Sequence, residues 1–110
     1  MVNVQEGFEI MKKNFKPEVA KGFKKKVVVQ YNIEGPDGGT WQVIFDNGTM
    51  EIVEGEKEKA VLNFTYDAVE SFMGIQNGEI DGIQGYTTGK LRIGGPIALA
   101  QKIGEIFGAV

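Results

Sequence analysis

Cysteine and histidine are both absent from the 110 residues, and these two gaps remove more functions than any motif adds. Without them there is no disulfide, no thiolate nucleophile, no imidazole base, no Ser/His/Asp triad and none of the usual zinc sites. A catalyst made from this chain would have to use carboxylates, lysine or tyrosine. Nor is there an apolar run near the roughly 20 residues that cross a bilayer, and Met1 to Phe15 carries charges where a secretory signal needs an apolar stretch. These absences point to a cytoplasmic protein. With 42% hydrophobic and 25% charged residues the chain has no disordered or fibrous bias, and its length suits a single domain, residues 1–110, with one core.

Positive charge is unevenly spread. Lys12, Lys13, Lys16, Lys21, Lys24, Lys25 and Lys26 hold most of it, while the net charge is −3, so the remainder of the chain is acidic. One reading makes this basic end the solvated face of a helix and its connector. The other makes it a contact for an anionic surface, with Lys12, Lys13, Lys16, Lys24 and Lys25 meeting a membrane or a phosphate-bearing ligand. Nucleic acid is not expected as a partner.

Val4, Phe8, Met11 and Phe15 recur at helical spacing, so an amphipathic helix is predicted to start near Asn3 as its cap and to end before Pro17. A short helical turn follows from Pro17 and Glu18 to Gly22. From Lys26 the period becomes twofold: Val27, Val29, Tyr31 and Ile33 share one side, Val28, Gln30 and Asn32 the other. After the turn residues Gly35 to Gly39, Trp41, Val43 and Phe45 alternate with Gln42, Ile44 and Asp46. Asn47 and Gly48 suit a two-residue hairpin. Met50 and Ile52 then mark a third strand, and Ala60, Leu62 and Phe64 a fourth. Such a succession predicts a largely antiparallel sheet with one apolar face.

Helical spacing returns after Thr65 with Val69, Phe72 and Met73. A glycine-dense stretch from Gly74 to Gly95 follows, broken by a short fifth strand through Leu91 and Ile93. It reads as turns and tight packing, or as a mobile portal. From Pro96, Ile97, Ala100, Ile103, Ile106 and Phe107 form a broad apolar arc. On the outer sheet face Val28, Ile44, Val53 and Val61 stand among Gln30, Gln42, Glu51 and Asn63, a surface suited to a weak homodimer.

The string GYTTGKL is not a phosphate-binding loop: only three residues separate Gly85 from Gly89, and Leu91 stands where Ser or Thr must meet magnesium. Glu79 and Asp81, in a glycine-rich loop, read as solvated rather than as a catalytic pair. Trp41, Phe45, Phe64, Phe72, Tyr86 and Phe107 all fall on faces predicted to point inward. Patterning leaves open whether they fill a core or line a pocket.

The stretch GKLRIGGPIALAQKI, Gly89 to Ile103, resembles the signature of the sterol carrier protein type 2 domain family. Trp41 opening a strand, the Asp46-Asn47-Gly48 turn, and a Tyr66 to Gly78 helix followed by Glu79, Ile80 and Asp81 match the family in order and spacing. The resemblance covers roughly residues 5 to 107. It implies an α+β fold, a five-stranded mostly antiparallel sheet with helices packed on one face, enclosing an apolar tunnel. It also implies non-catalytic binding and transfer of a lipid, fatty acid or acyl-CoA, with no cofactor, no metal and no catalytic residue. Carried over by position, Trp41, Val43, Phe45, Met50 and Ile52 form the sheet side of that tunnel. Phe72, Met73, Tyr86, Ile97, Ile103 and Phe107 close it. The loop after Asp81 departs from the family, which commonly has a proline and a more helical connection there. The ending Gly108-Ala109-Val110 lacks a peroxisomal address. The alternative expectation is an interaction or accessory module, a packed domain that dimerises or serves an enzyme partner without bound lipid.

Overall fold

The computed structural model describes residues 4–108. The first helix, α1 (Val4–Asn14), turns Val4, Phe8 and Met11 inward, as the 3.6-residue period requires. Its expected cap, Asn3, lies outside the described residues. A single turn, α2 (Pro17–Ala20), starts at the proline, and Lys16 N donates to Ile106 O at 3.0 Å, tying this corner to the end of the chain.

Five strands form one sheet: β1 (Val27–Ile33), β2 (Gly39–Asp46), β3 (Thr49–Glu54), β4 (Leu62–Tyr66) and β5 (Leu91–Gly94), in the order β3-β2-β1-β4-β5. The β2–β3 turn carries Asn47 and Gly48 at φ 52° and 80°, the left-handed pair that a two-residue hairpin needs. Register places Tyr31 opposite Trp41 and Phe64, and Val43 opposite Ile52, so the inner face is continuous and apolar. On it pack α1, α3 (Val69–Gln76) and α5 (Ile97–Phe107), while α4 (Gly82–Thr87) lies against α3 and β5. Among the described residues no helix is long and apolar enough to cross a membrane.

The fourth strand does not extend the meander. It crosses over and pairs in parallel with β1, with Tyr31 beside Phe64 and Ile33 beside Tyr66, so the sheet is mixed although mostly antiparallel. The crossover, residues 55–61, runs over the outer face, which corrects the expectation of an open Val/Ile surface there. Val28 and Ile44 are buried beneath it, and only Val61 is strongly exposed. Gln42 explains how a polar segment can lie on a sheet. Its Oε1 accepts from Lys57 N and Glu58 N, both at 3.0 Å, while its Nε2 donates to Glu58 O at 2.7 Å and Gln30 Oε1 at 3.1 Å. A primary amide supplies two donor hydrogens and a carbonyl oxygen that accepts twice, enough for all four of these bonds, and Gln42 is fully buried in making them. The exposed Lys26–Glu58 ion pair, 2.9 Å, closes over the same connection.

Two other expectations change. Tyr66 is the last residue of β4, with the helix starting only at Val69, and the glycine-dense stretch contains the six-residue helix α4. Asp81 makes α4 possible by capping it, its Oδ1 accepting from Ile83 N at 3.0 Å. A Cβ on Gly85 would fall 2.9 Å from Ile75 Cδ1, so glycine there permits close packing against α3 rather than a loose loop.

Two predictions follow from this interior. Gln42→Ala strands two backbone N–H groups and a carbonyl, and is expected to lower unfolding free energy by about 2 kcal/mol, read as a lower denaturant midpoint. The second concerns Tyr31 and Tyr66, both fully buried. Burial pushes the two phenols well above the ordinary tyrosine value of about 10; for Tyr66 the neighbouring Tyr31 adds to the rise and its hydrogen bond to Gln76 opposes it. The unfolded chain therefore releases phenolic protons that the folded chain retains. Stability is at its full value below about pH 10 and falls as pH climbs beyond it. Absorbance at the phenolate band is expected to show Tyr31 and Tyr66 ionising only together with unfolding.

Candidate functional site

The two layers meet through aromatic rings. On α1, Phe8 lies 5.3 Å from Trp41, 5.0 Å from Phe72 and 6.0 Å from Tyr31, measured between ring centroids. Tyr31 stands on the central strand, stacked on Tyr66 at 6.1 Å and 5.3 Å from Phe64. A second group lies under α5, where Phe107 is 5.9 Å from Phe45 and 6.1 Å from Phe15, and Phe23 is 5.6 Å from Phe45. The closeness of the first group depends on Gly7, since a methyl at that position would overlap the Phe72 ring.

Most of the residues singled out from the sequence come together here. Trp41, Val43 and Phe45 are buried on the sheet, Phe72 and Met73 on α3, and Ile103 and Phe107 on α5. Met50 and Ile52, on the edge strand β3, are partly buried against the same cluster. Tyr86 and Ile97 depart from the inward orientation expected of them, each being 50% exposed. On α4 the inward position is Gly85, which sends its neighbour Tyr86 outward. Ile97 is the first residue of α5, ahead of the buried stripe that starts at Ala100. Phe64 is buried as expected, and Phe8, Tyr31 and Tyr66, absent from the expected lining, also belong at the centre. A tyrosine within a Val/Ile alternation was the available signal, because it carries a polar atom into a core.

These rings occupy the space between the layers, and the openings lie at its rim. One cleft of about 200 Å³ opens between α1 and the β2–β3 edge, floored by Phe8, Trp41 and Ile52 and rimmed by Gln5, Glu9, Lys12 and Glu54. A second, about 360 Å³, lies beside α3 and α4 with Ile75, Ile80, Asn77 and Asp81 in its wall. A third, about 420 Å³, is an open hollow on α1 itself, around Ile10 and Lys13. The first reaches the Phe8 and Trp41 rings, and Phe8 in turn lies against Tyr31. Lys12 at its rim is half exposed and pairs with Glu9 at 3.2 Å, while Lys13, Lys16, Lys24 and Lys25 are exposed.

Comparison with known proteins gives this arrangement a context. The profile of the SCP-2 sterol transfer family matches residues 9–108. Hydroxysteroid dehydrogenase-like protein 2 of Rattus norvegicus is 30% identical over 104 residues, 94% of this chain and 20% of that protein. The chain thus spans about a fifth of the length of that relative. Among solved structures, palmitated SCP2L2 from Aedes aegypti superposes with a TM-score of 0.71 at 23% identity, covering 97% of this chain and 95% of that one. The sec-alkylsulfatase Pisa1 from Pseudomonas sp. superposes at 0.72 with 17% identity, over 94% of this chain and 15% of its own. At these identities the structural likeness speaks for the fold, and the profile match over nearly all of the sequence carries the assignment: the chain belongs to the SCP-2 sterol transfer family.

Proposed function

We propose that this chain binds a lipid or fatty-acyl molecule between its helix layer and its sheet and hands it on without chemistry. The observation that carries the reading is the pair of facing apolar surfaces, aromatic on both sides, in a chain of the SCP-2 sterol transfer family. The palmitated relative from Aedes aegypti supports the ligand class. The cleft between α1 and the β2–β3 edge is the way in, with Trp41, Val43, Phe45, Met50 and Ile52 on the sheet side and Phe72, Met73, Ile103 and Phe107 opposite. Because rings and methionines now fill this space, the ligand lodges by displacing them; Met11 and Met73 suit that role, being unbranched and readily repacked.

The energetics fit a carrier. Removing about sixteen methylenes from water gains on the order of 12 kcal/mol, and association and ordering offset several kcal/mol of it. What remains corresponds to dissociation constants of about 1 µM. The exposed lysines Lys13, Lys16, Lys24 and Lys25, with Lys12 at the cleft rim, extend the reading to docking on anionic membranes or to the phosphates of acyl-CoA.

A second reading, an accessory module serving an enzyme, is favoured by one finding: the same fold forms 15% of the Pseudomonas sp. sulfatase and the same sequence type a fifth of the rat dehydrogenase-like protein. The two readings separate by direct measurement. After purification under native conditions, mass spectrometry is expected to show lipid adducts, and a fluorescent fatty acid is expected to bind saturably near 1 µM while shifting Trp41 emission. Absence of both adduct and saturable binding would leave the accessory reading. Vesicle binding by the lysines is expected to weaken as salt rises, and binding indifferent to salt removes that role.

A further inference from the structure

The hydroxyl of Tyr31 is the anomaly of the interior. Tyr31 is fully buried, and its hydroxyl oxygen has no hydrogen-bond partner among the described residues. Leaving such a group unpaired is unfavourable, and a phenylalanine in the same place would avoid the loss. The ring stands on the central strand with Phe8 of α1 and Phe72 of α3 presenting edge-on contacts at 6.0 and 6.3 Å. Phe8 is also a floor residue of the cleft beside α1. A molecule that enters through that cleft and moves Phe8 aside comes up against the Tyr31 ring that Phe8 covers.

We infer that Tyr31 is the specificity-determining contact for the inner end of the ligand, pairing its hydroxyl with one uncharged oxygen function: an alcohol, a ketone or an ester carbonyl. This rests on the lipid-binding reading and adds to it the polarity and the direction of the ligand. The oxygen must be neutral for two reasons. The buried polar side chains among the described residues are Gln42, Ser71 and Gln76, so no buried cation is there to pair with a carboxylate. Burial also keeps the Tyr31 phenol protonated, so that it offers a neutral hydroxyl able to donate or accept one hydrogen bond. An ionised fatty acid therefore keeps its carboxylate at the rim, near Lys12, and gains nothing from Tyr31.

The test measures displacement of diphenylhexatriene from the full chain by hexadecanol, hexadecane and palmitate, in wild type and Tyr31→Phe. Wild type is expected to bind hexadecanol about tenfold more tightly than hexadecane. Tyr31→Phe is expected to bring that ratio to about one by weakening hexadecanol alone, leaving hexadecane and palmitate as they were. A ratio unchanged in the variant overturns the inference while leaving lipid binding intact. Failure of all three compounds to displace the probe from wild type overturns both. The denaturant midpoint supplies an independent reading: removing an unpartnered donor is expected to leave Tyr31→Phe as stable as wild type or more so. A clear loss of stability would mean that the hydroxyl already has a partner inside, and the inference falls.

Discussion

The spacing between α1 and α3 sets the depth of everything beneath them. Gly7 has no side chain, and the Phe72 ring occupies the space a Cβ would take, so the two helices approach closely and press Phe8 and Phe72 down onto the sheet. Tyr31 is trapped below with both rings at its edge. Had residue 7 carried a side chain, the helix layer would stand higher or Phe72 would turn away, and the aromatic group would lose its closure. The same contact backs Phe8, a lining residue of the cleft beside α1, with the Phe72 ring 5.0 Å away.

The opposite face follows a different logic. A strand whose partner lies two places back in the sheet must be reached by a crossover, and here the crossover is polar and charged. Hydrogen bonding to Gln42 lets it rest on the sheet without leaving buried N–H groups unmet. Asn32 continues that polar row, its Oδ1 accepting from Gln30 Nε2 at 3.0 Å. The outer strands are protected otherwise: Glu51 and Glu54 on β3 and Arg92 on β5 keep the free edges charged. One face is thereby closed by hydrogen bonds and the other by ring packing, which assigns any accommodation of an apolar guest to the helix side.

What could be read beforehand depended on whether the signal was local. Period-two alternation at Val27 to Ile33 and Trp41 to Phe45 gave the inner face, Asn47-Gly48 gave the hairpin, and the helical spacing of Phe8 and Met11 gave α1, because each rests on residues adjacent in sequence. Pairing of β4 with β1 is long-range, and no local pattern distinguishes a parallel neighbour from an antiparallel one. The burial of Gln42, Val28 and Ile44 depends on that same crossover and was hidden with it. α4 was obscured because Gly82 and Gly85 are poor helix formers; its stability comes from the Asp81 cap and from packing on Ile75. Tyr86 shows the limit most clearly: an aromatic beside a helical glycine points outward when the glycine is the contact.

An interior closed by aromatic rings is compatible with a carrier on energetic grounds. A ligand that enters such a space exchanges ring-to-ring contacts for ring-to-ligand contacts, which are similar in kind, so the net gain is chiefly the apolar surface that the ligand itself withdraws from water. A permanently open tunnel would instead expose apolar surface to solvent whenever it was unfilled, at a continuous loss of folding stability. Closure therefore stabilises the unliganded fold and moderates affinity at once, since part of the binding free energy is consumed in parting the rings. On the inference drawn for Tyr31, its unpaired hydroxyl tilts that balance: among the described residues it is the buried side-chain group left without a hydrogen-bond partner, so a guest with the right oxygen lowers the cost of opening.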